Sequence, residues 1–152
     1  MRFAIAAALA LAAPSSLHAQ ATIPDLSTAT VLPGSWSFAF ATGGSEATFT
    51  DSSGNQQLWV HCTRTSRRVS IAKRGSAATP FLQVWTSSLT RSVPASYNPA
   101  TGRITIDLAA YDPLLDAIAS SRGRIGFGVA NQPALIVPPW AEAARVIEDC
   151  RA

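Results

Sequence analysis

The chain is poor in the residues from which most active sites are built. Its 152 residues hold two histidines, two cysteines and one methionine, and only 14% are charged. His61 stands beside Cys62, but no second pair exists to complete a tetrahedral metal site. No metal and no cofactor is expected. The sequence also lacks G-x-S-x-G, H-E-x-x-H, a P-loop and G-x-G-x-x-G. No stretch reaches 18 apolar residues, so an integral membrane protein is not expected. With 12 basic against 9 acidic side chains, the charge balance is too small for a nucleic-acid partner. Disorder is excluded by a hydrophobic content of 47%.

Residues 1–21 read as a secretory signal peptide. Arg2 supplies the positive charge, Phe3 to Ala13 the apolar run, and Ala19-Gln20-Ala21 the small residues of a cleavage site. Eleven helical residues span about 16 Å, half of a ~30 Å hydrocarbon core, so a membrane anchor is disfavoured. Cleavage is expected after Ala21, with Ala19 the alternative. The remaining 22–152 has 131 residues, with 11 basic and 9 acidic side chains and a single histidine, His61. It reads as one domain in the periplasm, or secreted, after cleavage.

An exported chain meets oxidants, so Cys62 and Cys150 are read as one disulfide. Closing a loop of that length stabilises by about 4–5 kcal/mol on the chain-entropy picture. Two patterns support the pairing. Leu58, Val60 and Cys62 share one face of a strand from Gln57 to Thr63, with Trp59 and His61 on the other. A C-terminal helix beginning at Pro138-Pro139 carries Trp140, Ala143, Ala144 and Ile147 on one face, with Cys150 at its edge.

Alternation of period two recurs at Trp36–Phe40, Ala47–Phe49, Val69–Ile71, Phe81–Thr86, Leu89–Val93, Arg103–Leu108, Ile125–Val129 and Ala134–Val137. Pro94 to Gly102 reads as a loop. Asp112-Pro113 opens a short helix, with Asp112 as N-cap and Gly123 just past its end. The expected fold is mainly β: an antiparallel β-sandwich or partly open barrel with two short helices, the C-terminal one tied to a strand.

The most distinctive polar feature is basic. Arg64, Arg67, Arg68, Lys73 and Arg74 place five positive charges in eleven residues without an acid. Arg64, Arg67 and Arg68 crowd a hairpin tip, with Trp59 and His61 on the strand leading to it. This set is the candidate binding site, fitted to an envelope protein or an anionic glycan or lipid surface. The competing reading is an edge hairpin kept unpaired by charge. Arg122-Gly123-Arg124 is a smaller basic site, or cation placement at a helix end. Catalytic residues are not expected. His61 as a base competes with a surface histidine. Ser70-Ile71-Ala72-Lys73 matches S-x-x-K, but on a strand Ser70 and Lys73 point to opposite faces. Asp112 and Asp116 form a carboxylate pair four apart, but each has a structural use at a helix start.

Asp112-Pro113-Leu114-Leu115-Asp116, Ser121-Arg122-Gly123-Arg124, Pro139-Trp140, and Glu142 and Arg145 before Glu148-Asp149-Cys150-Arg151 resemble a group of small exported proteins of alphaproteobacteria. Leu58-Trp59-Val60-His61-Cys62 extends the likeness over most of the chain. The resemblance implies a periplasmic setting and no particular activity. The layout is also similar to accessory proteins of secretion systems and to invasion-associated envelope proteins. The expected function is a non-enzymatic binding or accessory protein of the cell envelope. The alternatives are a small periplasmic hydrolase, or an envelope-enzyme inhibitor inserting a loop such as Pro94 to Gly102.

Overall fold

The computed structural model describes residues 22–152, so the expected signal peptide and both cleavage positions lie outside the described residues. Ten strands form two antiparallel sheets. The larger has the order β1 (Gly34–Ala41), β2 (Gly44–Asp51), β3 (Gln56–Thr63), β4 (Arg68–Arg74), β8 (Arg103–Ala109), β7 (Ser96–Asn98). The smaller has the order β10 (Leu135–Val137), β9 (Ile125–Gly128), β5 (Phe81–Trp85), β6 (Thr90–Pro94). Both sheets are open. The helices are α1 (Pro113–Ala119) and α2 (Ala141–Asp149).

The large sheet has one wet face and one dry face, as antiparallel sheets commonly do. On the dry face Phe49, Leu58, Val60, Cys62, Val69, Ile71, Ile104 and Ile106 are buried. The second layer over them is composite. The small sheet contributes Leu82, Val84 and Phe127, and the helices contribute Leu114, Leu115, Val146 and Ile147, all within one core cluster. Helix α2 packs on β1, β2 and β3. Strands β2 and β3 approach closely at Gly44, where a Cβ would collide with the Cys62 carbonyl.

Cys62 and Cys150 are bonded, with Cα atoms 5.4 Å apart. The covalent tie implies an oxidising, non-cytoplasmic environment. Among the described residues no helix is long and apolar enough to cross a membrane. Beyond the small sheet, residues 22–33, the lead-in segment before β1, close its outer side. Leu32 donates its N–H to the Ile136 carbonyl at 2.8 Å, and Arg124 donates to the carbonyls of Leu26 and Ser27 at 3.0 and 2.9 Å. Trp85 is buried there beside Gly126, where a Cβ would meet its ring at 2.9 Å.

Four local readings need correction. The expected loop Pro94 to Gly102 contains β7, which pairs with β8 as an edge strand. The three residues of that strand are too few to show a period. Helix α2 begins at Ala141 rather than at the proline pair, so Trp140 is its N-cap and 48% exposed, not part of the apolar stripe. Helix α1 ends at Ala119 with Ser120 as cap, leaving Gly123 in the following turn with φ of 92°. Lys73, grouped above with the basic run, lies on the dry face opposite Leu58 and Ile104 and is 7% exposed.

Candidate functional site

The tip between β3 and β4 is a 3-10 turn, Arg64–Ser66, closed by Arg67 in the left-handed conformation at φ 48°. The three arginines grouped there by sequence point to different tasks. Arg64 reaches across to α2: its Nε donates to Asp149 Oδ2 at 3.2 Å, and a terminal nitrogen bonds Asp149 Oδ1. Ser45 donates to the same carboxylate at 2.6 Å. The Arg64 and Ser45 hydrogen bonds hold the Asp149 carboxyl below its ordinary value. This cluster lies one residue from Cys150 and reinforces the covalent tie. Arg68 turns onto the wet face and donates to the Asp107 carbonyl at 3.0 Å. Arg67 is exposed and makes no side-chain bond among the described residues.

Trp59 and His61 point to the wet face, as the alternation predicts. The register then brings together side chains that lie far apart in sequence. Glu46 is opposite His61, and His61 is opposite Ser70. Thr48 and Ala72 flank Trp59, and Thr105 is opposite Ala72. Trp59 is not an open aromatic platform: it is only 6% exposed, because the Arg103 guanidinium lies 3.8 Å from its ring centroid. Arg103 is on β8, and it crosses over β4 to reach β3. The crossing is possible because the β4 residue beneath is alanine, Ala72.

Two depressions flank this stack. One, of about 310 Å³, is lined by Glu46, Trp59, His61, Ser70, Ala72, Arg103 and Thr105. Its Glu46–His61–Ser70 row has the residue types of a nucleophile triad, but not the geometry. His61 Nδ1 stands 3.6 Å from Glu46 Oε2, and Ser70 makes no hydrogen bond to His61 among the described residues. The strand N–H groups beside it are engaged in the ladder and form no oxyanion hole. The row offers an acceptor, an imidazole and a hydroxyl for binding.

The second depression, of about 380 Å³, lies at the sheet end away from the Arg64 turn. It is lined by Gly54, Asn55, Gln56, Trp59, Arg74, Thr101 and Arg103. Arg74 and Arg103 are direct cross-strand neighbours. Sequence reading missed Arg103 as a partner of Trp59. Its outward position was legible from the alternation Arg103, Thr105, Asp107, but the adjacency of β8 to β4 was not.

The remaining charged groups tie elements together. Arg91 forks onto Asp112 at 2.6 and 3.0 Å, while Asp112 accepts the Leu114 N–H at 2.8 Å as N-cap. Burial pushes the Asp112 carboxyl up, but the Arg91 and Leu114 bonds outweigh it and leave the group below its ordinary value. Asp116 faces Arg151 at 2.7 Å, so the two carboxylates of α1 serve separate ion pairs. Arg122 is exposed, and Arg124 is committed to the lead-in segment. Among the described residues no three metal-ligating side chains gather. Comparison with protein-family models, with curated proteins and with solved structures found no match.

Proposed function

We propose that the chain is exported by its N-terminal apolar segment and acts in the periplasm as a non-enzymatic binding or accessory protein of the cell envelope. Its working surface is the wet face of the six-stranded sheet, and its partner is an anionic component of the envelope. One observation carries this reading. The small sheet and the helices cover one face of the large sheet, and no described element packs on the other. That open face gathers Trp59, His61, Arg68, Arg74 and Arg103 from three adjacent strands. The Cys62–Cys150 bond supports export. The basic turn contributes through Arg67 and Arg68 at the upper edge of the face, while Arg64 serves the fold.

The test has two steps. Fractionation of cells making the full chain is expected to return a periplasmic form beginning at Thr22, or at Gln20. An extract of the same envelope is then passed over immobilised mature protein and over a Ser70→Glu/Thr105→Glu variant. The variant puts negative charge on the face without touching the core. Retention of a partner by the wild type and its loss in the variant is the expected result. An uncut cytoplasmic chain, or equal retention by both proteins, overturns the reading.

A further inference from the structure

The Arg74–Arg103 pair is a conflict that the fold leaves standing. Like charges directly opposite on a ladder repel, and nothing among the described residues relieves them. Among the described residues neither guanidinium makes an ion pair or a side-chain hydrogen bond. The depression between them contains no acidic side chain. Everything else lining it is a donor or a neutral wall: the amides of Asn55 and Gln56, the hydroxyl of Thr101, and Gly54, which leaves the rim open.

Trp59 makes the pair more than two loose side chains. It occupies one face of the Arg103 guanidinium. Guanidinium donors lie in the plane of the group, so stacking fixes the plane and leaves the N–H edge unused. A preorganised fork with a second guanidinium beside it suits an oxyanion held bidentately. Two positive charges without an acid match a dianion better than a monoanion. Inorganic phosphate and phosphomonoesters carry close to two negative charges at neutral pH.

We propose that Arg74 and Arg103, with Trp59 as the positioning surface, form a binding site for a phosphomonoester group. The site rests on the proposed binding role of the same face and names its ligand chemistry. It lies at the opposite end of the sheet from the Arg64–Ser66 turn, and a bound dianion relieves a repulsion that the described residues leave standing.

The test uses mature, disulfide-bonded protein and inorganic phosphate. Arginine Nε–H and indole N–H resonances are followed by NMR during titration at pH 7.5 and at pH 5.5. Saturable shifts are expected at Arg74, Arg103 and Trp59, with tighter binding at pH 7.5, where phosphate is largely dianionic. Arg74→Gln and Arg103→Gln are each expected to weaken binding about tenfold, the loss of one charge-assisted bidentate contact. Arg103→Lys keeps the charge but not the fork, and is expected to weaken it as well. Co-sedimentation with vesicles containing phosphatidic acid, against vesicles of phosphatidylcholine alone, separates the sources. Selective co-sedimentation assigns a lipid headgroup, and its absence alongside phosphate binding assigns a soluble phosphoester.

Shifts of equal size at Arg67 and Arg122, or unchanged affinity in Arg103→Gln, overturn the site. A wild type that retains an envelope partner but does not bind phosphate sinks this proposal alone. One that binds phosphate but retains no partner sinks the broader reading and leaves the site.

Discussion

The helix side of the molecule and the wet face of its large sheet use charge in opposite ways. Around α1 and α2, arginines answer carboxylates: Arg64 meets Asp149, Arg91 forks onto Asp112, and Arg151 reaches Asp116 and Glu148. All but the local Arg151–Glu148 pair join elements distant in sequence. On the wet face, Arg74 and Arg103 stand opposite each other, and among the described residues neither pairs with an acid. Composition alone does not separate these two uses, since both regions hold the same side chains. Position does. Charge that is paired within the chain holds the fold, and charge left unpaired beside a depression is available to something outside it.

The comparison breaks most visibly if the helix side proves dispensable. Replacing Cys62 and Cys150 together by serine is expected to cost about 4 kcal/mol, because the tie closes a loop of 88 residues. Urea unfolding of the variant, and of the wild type with and without reductant, measures it. Asp112→Ala removes the N-cap of α1 and the carboxylate that Arg91 grips, for an expected loss of about 2 kcal/mol. Neither change is expected to alter the surroundings of Trp59, so the tryptophan resonances of the wet face report whether the two regions are independent.

How much of this could be read in advance follows from the range of each interaction. Period-two alternation is local, so Trp36–Phe40 and Arg103–Leu108 were legible as strands, and so was the outward direction of Trp59 and His61. The pairing of Cys62 with Cys150 was legible because only two cysteines exist and both patterns turn them to the core. The order of strands is not local. Nothing in the chain between Arg74 and Arg103 states that β8 lies beside β4, so the stack on Trp59 and the arginine pair stayed invisible. Lys73 was misplaced for a related reason. Charge density suggested a surface run, but alternation with Val69 and Ile71 fixes its parity to the dry face, where its Nζ donates to the Arg74 carbonyl at 3.1 Å. Burial there lowers the lysine pKa from 10.5.

Acid sharpens the contrast by a smaller step. The carboxyls of Asp149 and Asp112 both lie below the ordinary value of 3.8 in the folded chain. A folded value under the unfolded one means that each contributes stability above about pH 4, which is lost as pH falls through the folded value. The urea midpoint is therefore expected to hold from pH 7 to pH 5 and to fall below pH 4. Asp149→Asn keeps an acceptor for Arg64 and Ser45 but does not titrate, so its midpoint should start lower and fall less. Asp25 and Asp51, held down by bonds within their own turns, keep some slope in the variant. An unchanged slope in Asp149→Asn would show that the Arg64 contact adds nothing to the covalent tie.

The smallest effects are expected on the wet face, and their signs are informative. Arg74→Thr removes one of two facing charges and leaves the indole stack intact. Relief of cross-strand repulsion predicts a gain of up to about 0.5 kcal/mol. Arg103→Thr relieves the same repulsion but forfeits the cation–π contact with Trp59, which contributes about 0.5–1 kcal/mol at a half-exposed position. The two substitutions should therefore differ, with Arg74→Thr the more stable protein and Arg103→Thr near the wild type or slightly below it. Thermal unfolding in low salt, where the repulsion is least screened, resolves the difference, and added salt should shrink the gain in Arg74→Thr. A loss above about 1 kcal/mol in Arg74→Thr would make that arginine a structural residue like those of the helix side. The distinction between paired and unpaired charge would then no longer mark where the chain meets its ligand.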